Sequence, residues 1–228
     1  MKRVSSLSTT HSGFASSRKL WLVAAIFFVL VLWVVFKPPF VIKPLEGPES
    51  SSEPVESKGA QFAAKVWESK VIPTILENAH DIAKIVPEIR ADPESAGEKY
   101  GRRESTNPFS YMVKGTGKVT EVNTKSRAGT LTLEIPGLEE KIALQIGPVV
   151  RGTALRDATG ATPFSQFANQ LDYADVSKEM NKRAVEAAFS HVDPSSLSGK
   201  TITFFGVFTF NPRSKKPLLV TPVKVEQK

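Results

Sequence analysis

Residues 130–135, TLTLEI, and residues 142–146, IALQI, decide the fold. In both segments a large aliphatic residue stands at every second position, which is typical of a β-strand with one buried face. Residues 109–123, 202–210 and 223–226 are also predicted to be strands. The chain is therefore expected to build a sheet of five strands whose apolar faces share one core.

A helical segment separates the third and fourth predicted strands. Residues 163–190 carry apolar side chains at helical spacing after the start signal Thr162-Pro163, and the stretch from Asp172 to Asp175 is expected to interrupt this helix. The order β-β-β-α-β-β is that of an OB-fold. We predict an α+β, mainly β chain with an OB-like five-stranded barrel, plugged by the helix between strands 3 and 4. The alternative is a five-stranded open sheet packed on helices.

Helices are also predicted ahead of the barrel. Residues 59–104 form a helical segment, interpreted as a helical hairpin, because apolar residues recur along one face. Pro73 is expected to kink or split the first helix. Asp92-Pro93 predicts the start of a second, short helix that Gly101 ends.

The OB-like β domain is predicted to span residues 105–228. Its first strand contains Gly115-Thr116-Gly117-Lys118, which resembles a phosphate-binding loop at first sight. The spacing of a P-loop is absent, and the next residue is Val119 instead of Ser or Thr. Two glycines inside a strand predict a bulge or a sharp bend instead.

The N-terminal region is predicted to be a membrane anchor with a spacer. Residues 20–36 are 17 consecutive apolar residues, the lower end of what crosses a hydrocarbon core of about 30 Å as a helix. No small-residue cleavage site follows, which disfavours a cleaved signal peptide. Residues 1–19 form a basic tail, and residues 37–58, rich in Pro, Ser and Glu, form a semi-extended linker.

The charge distribution orients this anchor. The chain carries a net charge of +7, with 30 Lys and Arg residues against 23 Asp and Glu residues. Six of the basic residues and none of the acidic ones lie in residues 1–43, which leaves +1 for residues 44–228. Because basic flanks stay on the cytoplasmic side, we predict a single-pass protein of a bacterial inner membrane, with a cytoplasmic N-terminus and a periplasmic C-terminal domain.

Several function classes lack the residues they need. The sequence has no cysteine, which excludes disulfides, a cysteine nucleophile, zinc–cysteine sites and a lipidated N-terminal cysteine. His80 and His191 have no second ligand at helical or hairpin spacing, and neither a nucleophile elbow nor an HExxH helix is present. We therefore expect no metal, no cofactor and no enzymatic activity.

The densest polar cluster follows the third strand. Arg151, Thr153, Arg156 and Asp157 stand in a glycine-flanked loop, and guanidinium groups present planar forks suited to carboxylates, phosphates or sugar hydroxyls. The candidate binding residues are these four and the polar residues shortly after them, Asn169, Tyr173 and Asp175. The alternative is a buried ion pair of Arg156 with Asp157 or Asp175 that orders the crossover.

Two loops of the predicted barrel are basic. OB-folds grip ligands with the loops between strands 1–2 and 4–5, and here these loops contain Lys125, Arg127 and Arg213. They suit an anionic ligand, an anionic partner or lipid headgroups; the alternative is solvated loops without a binding role. Neither loop has an aromatic residue to stack on bases, so we expect no nucleic-acid partner.

A set of distinctive short motifs is spread along residues 60–226. They are WESKV at 67–71, ADP at 91–93, GEKYGR at 97–102, VKGTG at 113–117, SRAGTL at 126–131, QIGP at 145–148, RGTALRD at 151–157 and NQLDYADV at 169–176. In this combination the sequence resembles the bacterial family named domain of unknown function 2291. The resemblance implies a membrane-tethered, predicted periplasmic lipoprotein, often encoded beside ribose-type sugar ABC transporters, with no catalytic residues to carry over. Because this chain lacks the lipobox cysteine, a transmembrane helix is expected to replace the lipid.

Three hypotheses for the function follow. The first is a non-enzymatic accessory or binding module associated with sugar ABC transport. The second is an extracytoplasmic enzyme on a sugar or cell-wall substrate, with Asp157, Asp172 and Asp175 as its only clustered carboxylates. The third is a scaffold that docks a membrane transporter through Trp67 and the apolar face of the N-terminal helices.

Overall fold

A computed structural model describes residues 57–228, except Ser105 and Lys215, together with Trp21 and residues 26–28. The chain divides into two compact units, Met1–Glu53 and Pro54–Lys228. Within the described residues no helix is long and apolar enough to cross a membrane. The predicted basic tail, nearly all of the predicted anchor and the linker up to residue 56 lie outside the described residues, so the anchor stays a prediction.

Five strands form a closed barrel. They are β1 (Ser110–Asn123), β2 (Thr130–Glu134), β3 (Ile142–Gln145), β4 (Thr201–Thr209) and β5 (Leu218–Gln227). The order of neighbours is β1-β2-β3-β5-β4, and β4 pairs again with β1. Only the β3–β5 pairing in this barrel is parallel. This is the arrangement of an OB-fold, which confirms the predicted fold.

The long strand β1 closes the barrel by pairing with two neighbours in succession. Its first part, Ser110 to Lys118, pairs with β4, and its second part, Lys118 to Asn123, pairs with β2. Gly117 lies at this change of partner, where a Cβ atom would come within 2.7 Å of the Glu134 carbonyl oxygen. A register shift follows between Val119 and Glu121, which confirms the predicted irregularity and places it just after the glycines.

The barrel interior is filled mainly by the strands and by a helix that precedes them. The buried cluster includes Leu131, Leu133 and Phe204 from strands, and it takes four residues from helix α3 (Ile82–Ala91): Ile82, Ile85, Val86 and Ile89. Helix α6 (Gln170–Ala188) contributes only Ala188 to this cluster. The prediction that the helix between strands 3 and 4 plugs the barrel is therefore wrong. Helix α3, which precedes β1, supplies most of the helical side chains of this core.

A second buried cluster lies between the helices and the outer side of the barrel. Val176, Met180 and Ala184 of α6 pack there with Trp67 and with residues of β4 and β5. The main partner of α6 in this cluster is α1 (Lys58–Val66). The apolar face of α6 thus packs mainly against α1 and the outer side of the barrel, so α6 does not fill the barrel interior.

The helices before the barrel are more divided than predicted. A π-helical turn (Trp67–Val71) joins α1 to α2 (Ile72–Asn78), because Pro73 has no N–H to continue regular α-helical hydrogen bonding. A two-residue strand (His80–Asp81) then pairs with β1, so the segment is not a simple hairpin. The predicted short helix is confirmed as α4 (Pro93–Tyr100), capped by Asp92.

The crossover between β3 and β4 also differs in detail. It contains an additional helix, α5 (Ala154–Thr159), and a 3₁₀ turn (Phe164–Gln166) where the start signal Thr162-Pro163 predicted a long helix. The long helix α6 begins later, capped by Asn169. It passes through Asp172 to Asp175 without a break, because acidic residues in a first turn are favourable to a helix.

The change of partner at Gly117 can be tested by substitution. We expect Gly117→Val to lower the free energy of unfolding by about 1–3 kcal/mol, because the new side chain must displace backbone atoms of β2. Denaturant unfolding of the full chain in mild detergent, followed by circular dichroism, measures this. The matched control is Lys118→Val on the next, exposed position, and equal stability of the two variants would contradict the account.

Candidate functional site

Helix α5 positions a buried ion pair. The Arg156 Nε donates to Asp157 Oδ1 at 2.8 Å, and the Thr153 hydroxyl donates to Asp157 Oδ2 at 2.6 Å. The two charged side chains are only 9% and 7% exposed. Of the two alternatives drawn from the sequence, the ion pair of Arg156 with Asp157 is present in the structure. A pair buried this far neutralises both charges locally and holds the guanidinium in one orientation.

Tyr173 of α6 lies directly against this guanidinium. The Arg156 Cζ atom is 3.7 Å from the centre of the Tyr173 ring, and one Nη1 proton points to the Tyr173 carbonyl oxygen at 3.4 Å. Stacking of a guanidinium on an aromatic face is favourable, and it fixes the plane of both groups. The pair of contacts joins α5 to the first turns of α6.

Glu104 completes the site from the segment between α4 and β1. Its Oε2 accepts a hydrogen bond from the Tyr173 hydroxyl at 2.7 Å, and its Oε1 accepts one from the Phe164 backbone N–H at 3.3 Å. The neighbouring Arg102 packs over Gly160, where a Cβ atom would come within 2.2 Å of the guanidinium carbon. Gly160 has φ +61 and ends α5, so only a residue without a side chain allows this approach.

The environment of Tyr173 keeps its hydroxyl protonated. Burial raises the pKa of Tyr173, and the hydrogen bond to Glu104 raises the pKa further, because both disfavour the phenolate. Arg156 opposes this shift, but the direction remains upward. The hydroxyl is therefore a hydrogen-bond donor over the whole physiological pH range.

These residues line a cleft of about 440 Å³. Its walls present Glu104, Asn107, Arg156, Gln170 and Tyr173, with the Phe164 ring at the rim. Phe164 is 42% exposed and meets Tyr173 edge to face, with ring centres 5.1 Å apart. The cleft therefore combines hydrogen-bond donors, acceptors and a free aromatic face, around an arginine whose charge is already balanced.

The other candidate residues of the crossover serve the local structure. Asn169 caps α6 by accepting from the Asp172 N–H at 2.9 Å. Asp175 accepts a hydrogen bond from the Ser57 hydroxyl and packs against Gly59 at the start of α1. The structure thus brings Thr153, Arg156, Asp157 and Tyr173 together. Of the candidates in the crossover only Arg156 and Tyr173 line the cleft.

The remaining candidate residues lie on the barrel. Arg151 precedes α5 and lines a groove on the outside of the barrel. This groove and the cleft share no lining residue. Lys125 and Arg127 lie in the β1–β2 loop and Arg213 in the β4–β5 loop, and all three are exposed. They do not line the cleft.

The carboxylates proposed for catalysis do not meet in one place. Asp157 is held by Arg156 and Thr153, Asp172 belongs to the cap of α6, and Asp175 receives the Ser57 hydroxyl. None of the three lines the cleft. In the described residues there is also no group of three or more His, Cys, Asp or Glu side chains that could hold a metal ion.

The candidate residues predicted from the sequence do not include Glu104, Asn107 and Phe164, whereas Gln170 lies in the polar motif NQLDYADV at 169–176. Glu104 and Tyr173 are 69 positions apart, and no periodic pattern connects them. A signal did exist for Phe164, since residues 164–173, FSQFANQLDY, are rich in aromatic and amide side chains. Such a mixture of rings and planar amides next to a buried arginine indicates a binding surface.

The buried pair generates a prediction on stability. We expect Asp157→Ala to lower the free energy of unfolding by about 3–5 kcal/mol, because it leaves the Arg156 charge buried without a partner. The double variant Arg156→Met with Asp157→Leu should recover a large part of this loss. Denaturant unfolding of the full chain measures both, and a double variant no more stable than Asp157→Ala would contradict the coupling.

Of three comparisons with known proteins, two give a match. A crystallised OB-fold protein from Thermotoga maritima superimposes with a TM-score of 0.60 and 19% sequence identity, over 75% of this chain and 98% of that one, which supports the fold alone. No curated protein matches the sequence. Residues 28–226 match the family described as "Predicted periplasmic lipoprotein (DUF2291)". The chain therefore belongs to this family, whose members are predicted to be periplasmic and whose function is unknown.

Proposed function

We propose that the chain is a membrane-anchored, extracytoplasmic and non-enzymatic binding module, which holds a small neutral polyhydroxylated molecule such as a pentose or a polyol in the cleft beside Tyr173. The single observation behind this proposal is the composition of that cleft. Donors, acceptors and an exposed ring converge around an arginine neutralised by Asp157.

The hydrogen-bonding groups of the cleft match the chemistry of sugar hydroxyls. Each hydroxyl both donates and accepts, and the cleft offers the Glu104 carboxylate as acceptor, Arg156 as donor, and the amides of Asn107 and Gln170 as both. The Phe164 ring supplies an apolar face for the C–H side of a ring-shaped sugar. An anion would instead need a surplus of positive charge, which the Arg156–Asp157 pair does not leave.

The size of the cleft suits one small molecule. Its volume of about 440 Å³ is within the usual range for small-molecule sites, roughly 300–1,000 Å³. Arg156, Tyr173 and Glu104 are locked to one another before any ligand arrives. These side chains therefore have little conformational freedom left to lose on binding, which favours affinity for a ligand that fits.

The extracytoplasmic location has two supports. The family is described as predicted periplasmic, and residues 1–19 contain four basic and no acidic residues, whereas acidic residues follow soon after Lys37 and Lys43 on the other side of residues 20–36. The chain contains no cysteine, so we propose that this apolar segment is the tether in place of a lipid. Tethering keeps the binding site close to transporters in the same membrane and so raises its effective concentration near them.

We propose that this tethered site serves a sugar ABC transporter. The scaffold alternative has lost its main argument, because Trp67 is only 5% exposed and belongs to the buried cluster with α6. The enzyme alternative needs two carboxylates in one cleft. Asp157, Asp172 and Asp175 instead make separate contacts outside the cleft. No specific observation favours either alternative over a binding module.

Titration of the full chain with D-ribose, D-xylose and xylitol tests the binding role. We expect at least one of these probes to bind, and Phe164→Ala to weaken that binding about two- to tenfold, because an aromatic contact is worth roughly 0.5–1.5 kcal/mol. Gln166→Ala, on the same 3₁₀ turn but outside the cleft, is the matched control. Calorimetry in mild detergent measures the affinities; equal affinities of the two variants, or no binding of any probe, would overturn the assignment.

Protease treatment of spheroplasts tests the proposed topology. A tag after Lys228 should be digested from outside the cell, whereas a tag before Met1 should be protected, because the basic flank stays in the cytoplasm. Detergent lysis should expose both tags and serves as the control. Protection of the C-terminal tag in intact spheroplasts would contradict the extracytoplasmic location.

A further inference from the structure

A second concave surface lies on the outer face of the barrel. This barrel-face groove has a volume of about 450 Å³. Thr130 and Thr132 of β2 contribute to its wall, and three cationic side chains surround it: Arg90, Arg151 and Lys216. Thr130 and Thr132 are two positions apart on one strand, so their side chains lie on the same face of the sheet. The groove therefore combines hydroxyl groups with basic groups.

Arg151 is held in place by a buried amide. The Arg151 N–H donates to Gln145 Oε1 at 2.8 Å, and the Arg151 carbonyl accepts from Gln145 Nε2 at 3.0 Å. Gln145 is itself only 3% exposed, and its Nε2 also donates to the Thr221 hydroxyl at 2.8 Å. A buried side chain that satisfies both backbone groups of one residue fixes that residue firmly. The guanidinium of Arg151 thus projects from a rigid base.

The charges around the groove are not balanced. Arg90 is paired with Glu140 through two hydrogen bonds, 2.8 and 2.7 Å long, and its guanidinium lies over Phe210. By contrast, neither Arg151 nor Lys216 forms an ion pair within the described part of the chain. Two positive charges are therefore left for a ligand, beside a third cation that the Glu140 carboxylate keeps in position.

We propose that the barrel-face groove binds a phosphate-type oxyanion, with Arg151 and Lys216 as the charged donors and the hydroxyls of Thr130 and Thr132 as neutral donors. A tetrahedral oxyanion presents several acceptor oxygens, and a guanidinium fork with additional hydroxyl donors matches them. This site is independent of the proposed sugar cleft, because the two share no lining residue and differ in charge. The oxyanion is either a free phosphate ester or the headgroup of an anionic lipid.

Binding of phosphate probes to the full chain in nanodiscs tests this site. Inorganic phosphate and glycerol 3-phosphate are titrated against the chain in neutral phosphatidylcholine discs, and phosphatidylglycerol is introduced into the discs in a parallel series. We expect Arg151→Gln and Lys216→Gln each to weaken binding at least about tenfold, as for loss of a charge-assisted hydrogen bond. Lys178→Gln, at an exposed lysine of α6 that does not line the groove, is the matched control and should leave the affinity unchanged.

The outcomes separate the sources and the alternatives. Saturable binding of the soluble probes assigns a phosphate ester, and a response to phosphatidylglycerol alone assigns a lipid headgroup; either result supports the site if Arg151→Gln weakens it at least about tenfold. Unchanged binding in Arg151→Gln, an equal loss in Lys178→Gln, or no response to any of the probes would overturn the proposal. Pentose binding in the cleft should be unaffected by Arg151→Gln, so failure of one proposal can be told from failure of the other.

Discussion

The architecture depends on one strand that serves two neighbours. β1 pairs with β4 along its first part and with β2 along its second, and this double pairing turns a sheet into a closed barrel. Closure leaves no exposed sheet edge among these five strands, and it fixes where each connecting segment leaves the barrel. The segment before β1 and the crossover between β3 and β4 are thus brought to defined places, and the contact between Glu104 and Tyr173 forms where they meet.

The buried ion pair then gives this meeting point its shape. Removing two charges from water is costly, and an apolar pair of similar size is often at least as stable. In this chain Arg156 and Asp157 also engage Thr153 and the Tyr173 ring, so the pair orients several groups around a cleft. The pair therefore fixes the orientation of the Arg156 guanidinium against the Tyr173 ring. The barrel-face groove follows the same design, with buried Gln145 fixing the base of Arg151.

The sequence predicted the barrel because large aliphatic residues stand at every second position of β2 and β3. Leu131, Leu133, Ile142 and Leu144 are all fully buried, as their period of two requires. The helices were harder to place, because an apolar stripe reveals that a helix has a buried face but not which partner covers it. For that reason the sequence assigned the barrel plug to α6, whereas α3 supplies it and α6 packs on α1.

The part of the candidate site that lies in one stretch of the sequence could be predicted, and the part that comes from a distant segment could not. Arg156, Asp157 and Tyr173 are close in sequence, and their clustering was visible as a dense polar segment. Glu104 comes from a distant segment, and only closure of the barrel places it beside Tyr173. Residues such as Asn169 and Asp175 have the right chemistry for binding but are used as a helix cap and as an acceptor for Ser57, which sequence alone does not distinguish.

The central claim is that the cleft beside Tyr173 is the place where a neutral sugar or polyol binds. Nuclear magnetic resonance of the full chain in detergent tests this most directly, because the side-chain amides of Asn107 and Gln170 report on the cleft itself. On addition of the pentose or polyol that binds, these two amides and the Phe164 backbone N–H should shift together and reach saturation. Shifts confined to the barrel face, or none at saturating ligand, would contradict the account.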